Sequence, residues 1–224
     1  MSNCSNVTLF AAIFAALYLG TDYSNGTIRN KMIIGHTRAE IYFANLVTVA
    51  VGGVLIFAAA CAAMLVLGLC LGGKLGMPAG EFALDIAVCL CAVIAICAIF
   101  TVLGMLFSSK STIITLTLVL TFVLVISAAM IASLLAEPEY TTEYMITADG
   151  GVEMSEELKP NPLYVSGIKR DILTAVNDVL PSGQLMQMEI GIVQNAGIMP
   201  LYSLGVLAVS TAVGAVVFRR KELK

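Results

Sequence analysis

The sequence predicts an all-α polytopic membrane protein with about five transmembrane helices and one long extracytoplasmic segment that contains an amphipathic helix. Three observations predict it. Of the 224 residues, 59% are hydrophobic and only 12% charged, whereas a soluble domain carries about 25% charged residues. The apolar residues are gathered into four runs without a charge: 41–73, 86–109, 111–136 and 199–218. The runs also lack the alternation of barrel strands, and a backbone in lipid must satisfy its own polar groups, so each run is a helix. With a mean hydropathy of +0.95, the chain is neither a water-soluble domain nor a disordered one. A net charge of -3 and an isoelectric point near 5.1 leave no basic face for a nucleic acid.

Each of the four runs reaches the ~20 residues that cross the hydrocarbon core. A fifth, 7–20, has only 14 residues. No basic residue precedes it and no small-x-small pattern follows it, so it reads as a short span rather than a signal peptide. The chain then divides into membrane helices over 1–136, an extracytoplasmic segment over 137–198, and a last helix with a basic tail over 199–224. Within the second span, Gly68 and Gly72 form a small-xxx-small pair, which is assigned to helix packing inside the chain or against a second copy.

Orientation follows from the basic residues. Arg29, Lys31 and Arg38, then Lys110, then Arg219, Arg220, Lys221 and Lys224 fall on one side, eight of the twelve. Lys74, Lys159, Lys169 and Arg170 fall on the other. Segment 21–40 and the C-terminus are therefore expected in the cytoplasm, and 137–198 outside. This places the N-terminus outside, which with the short first run suggests a sixth helix upstream in the full unit.

Segment 21–40 reads as a turn and a short helix. Asn25-Gly26 is a turn signal. Ile28, Met32 and Ile33 are expected on one side of the helix that follows, and Gly35 to stop it in the left-handed conformation. Thr37-x-x-Glu40 reads as a capping box for the next span. An interfacial helix that merely anchors the loop would carry the same pattern.

Segment 137–198 holds ten acidic residues against three basic ones, a solvated face or an attraction for a cationic substrate. Asp149-Gly150-Gly151 reads as the turn of a small hairpin. Asn161-Pro162 reads as an N-cap and first helical residue. Val165, Ile168, Ile172, Val176 and Val179 then define an amphipathic helix ending at Pro181.

No catalytic residue is predicted. The long runs carry no acid, base or histidine at mid-membrane depth, and Asp85 stands at an outer edge. Proton- or ion-coupled carriers keep such groups for their mechanism. The stretch 68–75 matches G-x-x-x-x-G-K but ends in Leu75, where a phosphate loop needs Ser or Thr for magnesium. The cysteines, Cys4, Cys61, Cys70, Cys89, Cys91 and Cys97, contain no C-x-x-C pair, so no metal site and no disulfide framework are expected. The single histidine, His36, has no partner for a catalytic constellation. Any ATP-driven motion must come from another chain.

Three stretches carry a resemblance. "GTDYSNGTIRNKMIIGHTRAEIYFANLV" is similar to the segment of ABC type 2 permeases in which an acidic-aromatic-Ser-x-Gly-Thr-x-Arg turn precedes a Gly-x-x-Arg lead-in to the next span. "NPLYVSGIKRDILTAVNDVLPSGQLMQ", 161–187, resembles the outer segment of that family, and "GAVVFRRKELK" its last span and tail. The resemblance implies the membrane subunit of an ATP-driven exporter in the cytoplasmic membrane of a bacterium. It implies a separate ABC ATPase subunit that binds the ATP and magnesium, no cofactor on this chain, and a second permease copy or a related permease across the bilayer. It also implies that Asp22, Tyr23, Asn25, Gly26, Thr27, Arg29 and Lys31 contact the ATPase, with Arg29 and Lys31 meeting acidic groups there. The alternative is a non-transporting anchor or assembly subunit of a larger complex.

Overall fold

The structure, a computed structural model, describes residues 4–72, 78–146, 152–193 and 195–221. In chain order these form α1 (Cys4–Ser24), α2 (Thr27–Ile33), α3 (Arg38–Cys70), α4 (Ala79–Leu106), α5 (Lys110–Ala136), β1 (Tyr140–Ile146), β2 (Val152–Pro160), α6 (Ile168–Val179), α7 (Pro181–Ile190) and α8 (Met199–Arg220). Five helices, α1, α3, α4, α5 and α8, are long and apolar enough to cross a membrane.

α4 is the centre of the bundle. It packs against α1, α3, α7 and α8, and 56% of its most apolar stretch is buried, against 17% for α3 and for α8. Val88, Ala92, Val93, Ile96, Cys97 and Phe100 fill its contacts. α1 lies against α3, α4 and α5, and its buried alanines, Ala11, Ala12, Ala15 and Ala16, keep those approaches short. The outer faces of α3, α5 and α8 leave Val47, Val51, Phe122, Ile126, Leu204 and Val209 uncovered. On a span such a face meets lipid, which solvates it without any protein partner. The 33 residues of α3 extend about 50 Å at ~1.5 Å per residue, well over the ~30 Å hydrocarbon thickness.

The first span is longer than its apolar run. α1 covers 21 residues, because the helix begins at Cys4, before the run, and Thr21, Asp22, Tyr23 and Ser24 continue it past the run's end. Hydropathy ends where polar side chains begin, whereas the backbone ladder ends only at the Asn25-Gly26 turn.

Within the chain, close helix packing does not involve Gly68 and Gly72. Gly68 meets nothing within 4 Å, and Gly72 sits beyond the end of α3 at φ 76 with open space around it. The glycines that admit a neighbour are others. A side chain at Gly104 would run into Leu19 of α1, and one at Gly214 into the ring of Tyr42 from α3.

At the end of the bundle away from α2, β1 and β2 pair antiparallel, with an irregularity between Thr142 and Tyr144. The predicted turn residues Asp149, Gly150 and Gly151 lie outside the described residues. Asn161-Pro162 does not start a helix. The Asn161 side chain accepts from the Leu163 N–H at 2.9 Å and donates to Glu137 at 2.9 Å and to the Pro138 carbonyl at 3.0 Å, making a turn instead. Gly167, at φ 64, precedes the first helical residue of α6, so Val165 lies outside it.

Pro181 ends α6 as expected but also opens α7, a helix absent from the sequence reading. α7 has no apolar stripe of ordinary kind: Ser182, Gln184 and Gln187 are buried together with Leu185 and Met188. Gln184 and Gln187 are satisfied by a network, whereas the buried Ser182 hydroxyl has no hydrogen-bond partner among the described residues. Gln184 donates to the Asp178 carbonyl (2.7 Å) and the Met199 carbonyl (3.0 Å) and accepts from Ser203 (2.6 Å). The buried Asp178 carboxylate accepts from Gln187 at 2.8 Å and Asn195 at 2.7 Å. The polar face of α6 therefore points into the protein. Its apolar residues Ile168, Ile172, Val176 and Val179 face outward.

Candidate functional site

The candidate site lies where α1 ends, α2 turns and α3 begins. The Asn25 N–H donates to the Thr21 carbonyl at 2.9 Å and the Gly26 N–H to Tyr23 at 3.1 Å, closing α1. Gly26 then takes φ 68 and ψ 14, the left-handed conformation that glycine adopts without strain. Its carbonyl accepts from the Asn30 N–H at 2.9 Å as α2 starts. α2 lasts seven residues and ends at Gly35, φ 106, where the Gly35 N–H reaches the Met32 carbonyl at 3.1 Å. The capping box on α3 is complete: Glu40 N–H donates to Thr37 Oγ1 at 3.3 Å, and Thr37 N–H to Glu40 Oε2 at 3.0 Å.

One side of this element is rooted and the other is free. Ile28 is 2% exposed and packs into the bundle core, with Met32 partly buried against it. Ile33, expected beside them, is 74% exposed, and Ile34 is 78% exposed. Ile33 is five residues from Ile28, nearly 140° further round at about 100° per residue, so it leaves the buried face. Asn25 and Arg29 are exposed, and Thr27 is half-buried.

Three of the predicted contact residues are engaged inside the chain. Lys31 pairs with Asp22 at 3.2 Å. The pair forms because the left-handed turn folds α2 back beside the end of α1. The Tyr23 hydroxyl points inward and donates to the Met105 carbonyl at 3.0 Å. The Lys221 ammonium donates to the Tyr23 hydroxyl and to the same Met105 carbonyl, both at 3.0 Å, and lies 4.3 Å from the centre of the Tyr23 ring. Burial disfavours its charge and lowers its pKa from 10.5 to about 8.

Arg38 completes the arrangement. Its guanidinium donates to the carbonyls of Phe218 at 3.4 Å, of Arg219 at 3.1 Å, and of Lys221. These close α8, so a cation sits on the negative end of that helix. One layer deeper, Tyr18 donates to Asn45 at 3.1 Å, and Asn45 donates to the Met105 sulfur at 3.7 Å.

Lys221 did not stand out in the sequence beyond its charge. The Gly-x-x-Arg spacing was the available signal for Arg38, since it puts an arginine in the first turn of α3. Nothing near Lys221 distinguishes it from Arg219 and Arg220. Among the described residues no three His, Cys, Asp or Glu side chains gather as metal ligands. Gly73, Lys74 and Leu75 of the phosphate-loop lookalike lie outside them.

The model of the ABC-2 family transporter proteins matches residues 7–223. The chain belongs to that family. It is therefore a multi-pass membrane permease of an ABC transporter, a transport component rather than an enzyme. Neither a curated protein nor a solved structure matches this ABC-2 chain.

Proposed function

We propose that this ABC-2 permease serves an exporter and that a separate ABC ATPase docks on the turn 22–34. ATP and magnesium bind the ATPase, not this chain. Two permease chains line the path across the bilayer, in the cytoplasmic membrane of a bacterium. The observation that carries the reading is the shape of the α1–α2 element. A seven-residue helix is held at the end of the bundle by Ile28, and it presents Asn25, Arg29, Ile33 and Ile34 outward. Short helices exposed in this way are stable only when rooted, since isolated helices below about 12–15 residues are marginal. A rooted, mixed apolar and basic surface suits a protein cleft.

The distribution of charge supports a cytoplasmic α2 end. Arg29, Lys31, Arg38, Lys110, Arg219, Arg220 and Lys221 all lie there, as the positive-inside rule requires. The test is co-purification of this chain with its ATPase, before and after Gly26→Trp and Arg29→Glu. Both variants are expected to lose the ATPase while remaining folded in detergent. Unchanged binding in both would refute docking at the turn.

A further inference from the structure

We propose that Lys221 and Arg38 form a clasp that carries motion of the α1–α2 turn into α4 and α8. The inference rests on ATPase docking at that turn and goes beyond it by naming the residues through which the load leaves. Among the described elements α2 packs only against α1 and α3. A force on α2 therefore enters the bundle through the last turn of α1 or the first turn of α3. Both places hold the end of α8. On the α1 side, Tyr23 is bound by the Lys221 ammonium at 3.0 Å. On the α3 side, Arg38 sits on the carbonyls of Phe218, Arg219 and Lys221.

The same clasp reaches α4. Met105, in its last turn, receives Tyr23 and Lys221 on its carbonyl and Asn45 on its sulfur. α4 and α8 pack along each other, so the two helices that the clasp grips would move as one body. Ordinary apolar packing lets helices slide. Charge-assisted hydrogen bonds from both flanks of α2 fix the register of the α8 terminus against them. Lys221 and Arg38 are thus positioning residues: they touch no substrate, and they decide whether α8 follows α2.

The experiment uses the complex of this chain with its ATPase in nanodiscs. Tyr202, on α8 at the end away from the clasp, is changed to Cys and carries an environment-sensitive fluorophore, with Cys4 and Cys70 replaced by Ser. The readout is the change in emission when ATP, magnesium and vanadate trap the ATPase. The parent is expected to respond. Lys221→Met and Arg38→Gln are expected to bind the ATPase as the parent does and to lose the response, and Lys221→Arg to recover it. A merely stabilising role would lower melting temperature without separating binding from response. A full response by Lys221→Met in the ATPase-bound complex would overturn the clasp. Should that variant not fold, Arg38→Gln and Tyr23→Phe decide, and full responses by both overturn it equally. A parent chain whose ATPase binds away from 22–34 sinks the docking and the clasp together, and that outcome is visible in the binding measurement alone.

Discussion

At Gly26 the backbone needs φ 68, which costs a residue with a Cβ roughly 1–2 kcal/mol. Nothing lies within 4 Å of a Cβ built there, so the penalty is purely conformational. Gly26→Ala is expected to lower the thermal midpoint in detergent, and Gly26→Asn to lower it less, because Asn tolerates the left-handed region. Equal midpoints for parent and Gly26→Ala would contradict the turn. Lys221 gives a pH signature. Its pKa falls from 10.5 to about 8 on folding. Below about 8 both states hold the proton, and the folded chain bears the full cost of burying the ammonium. Between about 8 and 10.5 the unfolded chain still binds the proton and the folded chain has released it, so stability rises with pH. Melting of the parent relative to Lys221→Met should therefore be flat below pH 8 and move in the parent's favour above it; parallel curves would exclude the burial.

Among the elements, α1 and α4 owe their closeness to Gly104, against which the Leu19 side chain rests. Gly104→Leu overfills that contact, and overpacking costs typically about 1–3 kcal/mol. Its melting temperature should fall clearly below that of Gly68→Leu, because Gly68 has open space. If the two variants melt together, the packing is misassigned. α6 makes a different prediction. Its outward residues Ile168, Ile172, Val176 and Val179 suit the interface plane of a bilayer, where an amphipathic helix buries its apolar face below the headgroups. The chain has no tryptophan, so Ile172→Trp is a clean probe. Lipids brominated near the headgroup end of the acyl chain should quench it more than lipids brominated at the chain terminus. Absence of quenching by either would place α6 in water.

For the whole molecule the prediction is topology. Arg38, Met105 and Lys221 meet at one end, and Gln184, Met199 and Asp178 at the other. In cells, an impermeant maleimide should label Leu158→Cys from outside and Arg220→Cys only after lysis. Labelling of position 220 in intact cells would invert the assignment. Four of the five spans were legible because each is a long uncharged run, and a run of that length has one solution in lipid; the first, 7–20, was legible only as a short one. The capping box at Thr37 and the stop at Gly35 were legible because they are local, decided by residues within a turn of each other. α7 was not legible. Its buried face includes Gln184 and Gln187, which read as surface until Asp178 and Ser203 arrive from other elements to satisfy them. Asn161-Pro162 misled for a related reason: an Asn before Pro caps a helix or makes a turn, and Glu137, far back in the chain, tips it to the turn.

By itself the sequence determined that the chain crosses a membrane, how many times, and where it turns back, because hydrophobic transfer and backbone satisfaction depend only on composition over a short window. It also pointed to the α1–α2 turn. Which way the residues of that turn face was decided by the tertiary structure. Lys31 folds onto Asp22, Tyr23 turns inward to Met105, and Arg38 closes on the end of α8 at Lys221 across 183 residues of chain. A charged side chain at a membrane edge has water, lipid headgroups or a helix end to choose from, and only the packing of the spans brings the helix end within reach.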